Sequence, residues 1–157
     1  NYSCGMIAAT EAKKQGCEEV LWLDAKEHRY VEEVGTSNAF FKINGTVYTS
    51  SLTGSILPGV TRDSAIRLMR KWGEDVVEKR LEIDDLLKAA ADGSLTEAWA
   101  TGTACVVSPI GLLRYRGTNY PINGEKVGEL SQKLYDTLYG MQTGIAPDVM
   151  GDWVVTL

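Results

Sequence analysis

Cysteine, histidine, long apolar runs and positive charge are what this chain has least of. Its three cysteines, Cys4, Cys17 and Cys105, are odd in number and scattered. That argues against a disulfide scaffold and fits a reduced, cytoplasmic protein. The one histidine, His28, lies in Lys26-Glu27-His28-Arg29 between two expected strands. With no second histidine and no Cys or Asp spacing beside it, no metal site is expected, and His28 reads as an exposed turn residue. No apolar stretch reaches membrane-spanning length and no secretory leader is visible. Lys and Arg number 16 against 21 Asp and Glu, a net charge of -5, so neither a membrane nor a nucleic-acid partner is expected. The pairs Lys13-Lys14 and Arg70-Lys71 read as solvated helix faces. Repeats, low-complexity tracts and linkers are absent as well. The chain begins at Asn1 rather than at a methionine, and is read as a piece of a longer protein.

What is present is an ordinary globular composition: 157 residues, 44% hydrophobic and 24% charged, enough for one α/β domain over residues 1–157. Residues 3–15 read as a helix stopped by Gly16. Residues 19–24 and 29–34 read as paired strands, the first an apolar run. Residues 39–43 and 46–50 flank Asn44-Gly45, a hairpin signal. Over 60–72, Ala65, Leu68, Met69 and Trp72 keep one helical face, and Gly73 ends it. Residues 75–81 read as a strand. Residues 83–91 read as a short helix opened by Asp84 and Asp85. Further strands are expected at 97–101, 105–108 and 112–115. A long helix carries Val127, Leu130, Leu134 and Leu138 and ends at Gly140, and a final strand is expected at 153–155.

Three segments carry chemistry. Glu33 closes an apolar strand just before Val34-Gly35-Thr36-Ser37-Asn38. A carboxylate there can face a protonated ring nitrogen. Its neighbour Glu32 would point to the opposite face and into solvent. Leu57-Pro58-Gly59 turns into a helix whose first N–H groups, at Val60 and Thr61, have no internal partner and suit a phosphate. Thr101-Gly102-Thr103-Ala104 is a turn in which Gly102 lets backbone approach a ligand. Each alone reads as a surface Glu, a plain helix start and a strand turn. Together they describe a pocket with a cationic ring at one end and a phosphate at the other.

The order Glu33-x-Gly35-x-x-Asn38-Ala39-Phe40, then Val47-x-Thr49, then Leu57-x-Gly59-Val60-x-Arg62 resembles the signature of the class IV (fold-type IV) aminotransferases. Val20-Leu21-Trp22-Leu23-Asp24, Gly102 to Pro109 and the segment 115–124 resemble the branched-chain amino-acid group. The resemblance implies the large C-terminal domain of that fold, a mixed sheet or pseudo-barrel flanked by helices, binding pyridoxal 5'-phosphate. It implies that Glu33 faces the pyridine nitrogen and that Thr36 lines the pocket. The amides of Val60 and Thr61, with Thr103, would hold the phosphate. The amides of Thr103 and Ala104 would receive the substrate carboxylate, and Tyr2 would bond the cofactor's 3' oxygen.

The same register puts the catalytic lysine four residues before Asn1. None of Lys13, Lys14, Lys26 or Lys42 takes its place, so no catalytic residue is assigned within the chain. The N-terminal domain would lie outside it too, and the chain alone would be inactive. The intact protein is expected to be a homodimer or larger, acting on branched-chain amino acids and 2-oxo acids. Some members carry Cys-x-x-Cys as a redox switch. Here Ser108 stands where the second thiol would be, and Cys105 reads as a buried strand residue. Other readings are a D-amino-acid aminotransferase, an aminodeoxychorismate lyase, or a non-catalytic phosphate- or cofactor-binding module.

Overall fold

A computed structural model of the chain describes residues 2–155. Helix α1 (Met6–Lys14) follows a single 3-10 turn and buries none of its residues. Strands β1 (Leu21–Leu23), β2 (Tyr30–Val34), β3 (Ser37–Ile43) and β4 (Thr46–Thr49) form successive hairpins. Asn44 and Gly45 take φ of 50° and 85° in the β3–β4 turn, the mirror-image turn that strand twist favours.

Helix α2 (Val60–Lys71) crosses to β5 (Val76–Glu78), which lies parallel to β4. Gly73, at φ 85°, turns the chain out of it. Then come β6 (Leu81–Glu82), α3 (Ile83–Asp92), β7 (Leu95–Gly102) and β8 (Val106–Pro109). The hairpin β9 (Leu112–Tyr115) with β10 (Thr118–Pro121), and α4 (Glu129–Thr143), complete the fold.

β3 is the central strand. Phe40 pairs with Thr49 of β4 on one edge and with Trp99 of β7 on the other. Among the described residues all strand pairings are antiparallel except β4–β5, so the sheet is mixed and flanked by helices, in keeping with the expected α/β fold. Side-chain alternation splits the interior in two. Phe40, Trp99 and Val47 pack with Leu68 and Met69 of α2 and Leu134 and Leu138 of α4. Ala39, Phe41 and Ala98 pack with Leu86 of α3 and with Leu113 and Ile122 around the β9–β10 hairpin. Phe40 and Trp99 are fully buried and stack at 5.5 Å. Each such side chain contributes on the order of 1.5–3 kcal/mol by its burial.

Several boundaries differ from the sequence reading. The strand expected at 75–81 is two, because β5 pairs with β4 while β6 pairs with β2. β10 has no counterpart among the expected strands. Among the described residues it is an edge strand paired only with β9, which is where a strand tolerates Pro121. α4 passes Gly140 and stops at Gly144, φ 72°. Ala146 folds back so closely on Gly140 that a Cβ there would stand 2.8 Å from it, which explains a glycine inside the helix. Residues 153–155 form no strand. Asp148 instead accepts the N–H groups of Met150, Trp153 and Val154 at 2.7–3.0 Å, competing with any ladder. Cys105 is half-buried in the β7–β8 turn, not inside a strand. His28 is exposed in its turn as expected. Among the described residues, no helix is long and apolar enough to cross a membrane.

Candidate cofactor site

The β2–β3 hairpin has a two-residue turn, Gly35-Thr36, so Val34 pairs with Ser37 and Glu33 with Asn38. Asn38 also stands opposite Thr101 of β7. One row across three strands therefore carries a carboxylate, an amide and a hydroxyl, at the sheet end where the β2–β3 and β7–β8 turns emerge. The two turns touch. Ser37 Oγ lies 3.9 Å from Cys105 Sγ, and a Cβ on Gly102 would stand 2.8 Å from Ser37 Oγ. Val106, which leaves the β7–β8 turn, is held at φ 56° although it is β-branched. That conformation costs about 1–3 kcal/mol, and strain of this kind concentrates where a ligand dictates backbone shape.

The Leu57 turn joins the row through Asn38. The Asn38 amide donates to Glu33 Oε1 at 3.0 Å and to the Leu57 carbonyl at 2.8 Å. The Leu57 N–H donates to the same Glu33 oxygen at 3.3 Å. Gly59 is extended there (φ -65°, ψ 137°) and begins α2 with no side-chain cap. A Cβ at Gly59 would stand 2.3 Å from Asn38 Oδ1, so the close approach itself requires glycine.

Glu33 is half-buried. Burial raises its pKa, the Leu57 N–H opposes this, and the charge of Glu32 adds to it. Its second oxygen, Oε2, has no partner among the described residues. Glu32, expected in solvent, is half-buried and accepts the Ser55 hydroxyl at 2.5 Å, because the 50–57 loop folds back over β2.

Of the other expected site residues, Thr36, Thr103 and Ala104 are exposed on the two turns, Val60 is 84% exposed and Thr61 half-buried. Tyr2 opens the 3-10 turn, and its side chain lies outside the described residues. Arg62 faces away from the site. Its guanidinium donates to the Ser50 carbonyl and to Glu78, both at 2.9 Å, and this hydrogen bond holds the Glu78 pKa down. Among the described residues, the start of α2 therefore has no side-chain cap, and the Arg62 guanidinium is engaged elsewhere. Lys42 is engaged by Glu74 at 3.1 Å and Lys14 by Glu11 at 3.5 Å.

Sequence reasoning missed two features. Asn38 stands in the signature pattern without a role of its own. Its place opposite Glu33 follows from a two-residue turn that an expected strand start at Ala39 hides. Thr101 stands in the third segment without a role of its own; that it is 1% exposed, with an Oγ1 that has no partner among the described residues, shows only in its register.

The donor set fits pyridoxal phosphate. An open carboxylate oxygen suits a ring N–H, and uncapped amides suit a phosphate. The family pattern described as "Amino-transferase class IV" matches residues 1–113. A probable branched-chain-amino-acid aminotransferase of Staphylococcus aureus (strain N315) is 48% identical over 99% of this chain and 43% of its own length. Branched-chain-amino-acid aminotransferase 2 of Bacillus subtilis (strain 168) is 46% identical over 96% of this chain and 42% of its own. The chain thus spans less than half the length of the curated relatives it matches. A crystal structure of the T.th. branched-chain amino acid aminotransferase complexed with N-(5'-phosphopyridoxyl)-L-glutamate superposes with a TM-score of 0.78 at 31% identity, covering 96% of this chain and 46% of that one. The Escherichia coli branched-chain amino acid aminotransferase gives 0.76 at 27%, covering 96% and 47%. With its signature residues gathered at one end of the sheet and the family pattern running through more than two-thirds of its length, the chain belongs to the class IV aminotransferases.

Proposed function

We propose that this chain is the cofactor-carrying domain, residues 1–157, of a transaminase that moves an amino group between leucine, isoleucine or valine and 2-oxoglutarate. The observation that carries the proposal is the fastening of Glu33 to the uncapped start of α2, with Glu33 Oε2 left open. The identity to branched-chain relatives supports that substrate class over D-amino acids and over lyase chemistry. When bound, pyridoxal phosphate supplies an electron sink for the substrate's α-carbon. Glu33 accepts the ring N–H and keeps that proton in place. The Val60 and Thr61 amides, with Thr103, hold the phosphate, and Thr36 lines the pocket. The Thr103 and Ala104 amides orient the substrate carboxylate.

No lysine of this chain is assigned to the chemistry. The reading places that lysine in the intact protein ahead of Asn1, leaves the isolated chain inactive, and carries with it a cytoplasmic homodimer or larger assembly. Assay of the intact protein tests this. Glutamate should form from 2-oxoglutarate with L-leucine as donor. Preferential turnover of D-alanine overturns the branched-chain assignment. Transamination by the 157-residue chain with added cofactor overturns the placement of the lysine.

A further inference from the structure

We infer that Asn38 is a positioning residue whose side-chain amide fixes the direction of the ring-facing carboxylate and its span to the phosphate seat. The inference rests on the cofactor reading above and assigns it a new part.

Asn38 is 5% exposed, and both hydrogens of its amide are engaged, one by Glu33 Oε1 and one by the Leu57 carbonyl. The Leu57 N–H returns to the same carboxylate oxygen, closing a ring of three hydrogen bonds between β2, β3 and the turn that opens α2. Within that ring Oε1 is held from two sides, so Oε2 is the oxygen left to face a ligand. Asn38 Oδ1 meanwhile rests on Gly59, one residue before the first helical amide. A single planar side chain therefore touches both ends of the pocket.

The geometry selects asparagine. Serine is too short to reach both acceptors. Glutamine is a methylene longer and is driven into Gly59. Aspartate keeps the shape but sets an acceptor against the Glu33 carboxylate and the Leu57 carbonyl. The charged group that acts on Glu33 is Glu32, from the same strand. Asn38 from β3 and Leu57 from the loop are neutral, and among the described residues no cation faces Glu33. Neutral donors are what aim this carboxylate, and the Leu57 N–H works against the rise in its pKa that burial brings.

The test uses the intact protein stripped of cofactor. Two ligands are titrated by absorbance, pyridoxal phosphate and pyridoxal, which lacks the phosphate. The Glu33 carboxyl carbon is titrated separately by ¹³C NMR without any ligand. Asn38→Ser should weaken pyridoxal phosphate about tenfold or more, weaken pyridoxal clearly less, and move the Glu33 midpoint up by about one pH unit. A merely structural role moves neither the ratio of the two affinities nor the carboxyl titration. Equal losses for both ligands overturn the span. An unmoved Glu33 midpoint overturns the carboxylate role. If Asn38→Ser does not fold, Gly59→Ala displaces the same amide from its other side and should raise the same midpoint. If the unaltered protein takes up no pyridoxal phosphate, the cofactor reading fails, and the ligand-free titration still decides the role of Asn38.

Discussion

Strand β2 has a carboxylate at each end, and the two are treated in opposite ways. Asp24, which follows β1 and lies against the first residue of β2, is 6% exposed and accepts three backbone N–H groups, from Glu27, Arg29 and Tyr30, at 2.7–3.0 Å. The Tyr30 N–H foremost, helped by those of Arg29 and Glu27 and by the Arg80 charge, holds its pKa far below the ordinary carboxylate range against the cost of burial. Glu33, at the far end, receives one N–H and one amide on a single oxygen, and burial wins, raising its pKa. Asp24 is saturated by its own loop and has nothing left to offer. Glu33 is left partly unserved, which is the condition of a group waiting for an outside donor.

Breaking the saturated end should have the largest effect. Asp24→Ala strands three N–H groups in the β1–β2 connection. Amide exchange at Glu27, Arg29 and Tyr30 should accelerate by about tenfold or more, while binding of pyridoxal phosphate to the intact protein stays within about twofold. The sign with pH follows from the depressed pKa. The stabilisation is complete above the unfolded carboxylate value and fades as pH falls through the much lower folded value. Exchange measured against pH should show that protection persisting into acid. Unchanged exchange in Asp24→Ala would equate the two carboxylates and undo the contrast.

The same contrast shows what the sequence disclosed. The apolar run 20–23, the Asn44-Gly45 turn and the α2 stripe ending at Gly73 are legible because each rests on local periodicity or on one turn type. Glu33, the α2 start and the 101–104 turn are legible as a spaced pattern. What stays hidden depends on register. Starting β3 at Ala39 instead of Ser37 loses the pairing of Glu33 with Asn38, and with it the clamp on Leu57. Arg62 stands in the signature, but nothing local tells that it turns toward Ser50 and Glu78. Asp24 reads in sequence only as the end of an apolar strand, since the N–H groups it collects belong to residues up to six positions later.

Glu33→Gln sharpens the comparison at the other end and has an intermediate effect. A raised folded pKa means that the ionised group weakens the fold, with stability falling as pH rises from the unfolded value through the higher folded one. Glutamine keeps an oxygen for Asn38 and Leu57 and removes the buried charge. The cofactor-free variant should therefore melt at the same temperature or higher at neutral pH, with the difference vanishing below about pH 4. Its affinity for pyridoxal phosphate should drop about tenfold. A gain in stability paired with a loss of binding is what separates a ligand-serving carboxylate from one like Asp24. A loss of stability at neutral pH would place Glu33 with Asp24.

The smallest effect is expected from Glu32, which tests whether the difference between the two ends comes from charge or from hydrogen-bond supply. Its charge pushes the Glu33 pKa up, while its Oε1 is held by Ser55. Glu32→Gln keeps an acceptor for Ser55 and removes the charge. Between partly solvated groups such a charge is worth less than about 1 kcal/mol, so the Glu33 midpoint should fall by only a few tenths of a pH unit, about half a unit at most. That shift should shrink in high salt. The shift expected from Asn38→Ser is larger and insensitive to salt, because it removes a donor rather than a field. If instead Glu32→Gln brings Glu33 down to the ordinary carboxylate value, the repulsion between neighbours sets the contrast, and the shortage of donors at the open end of β2 does not.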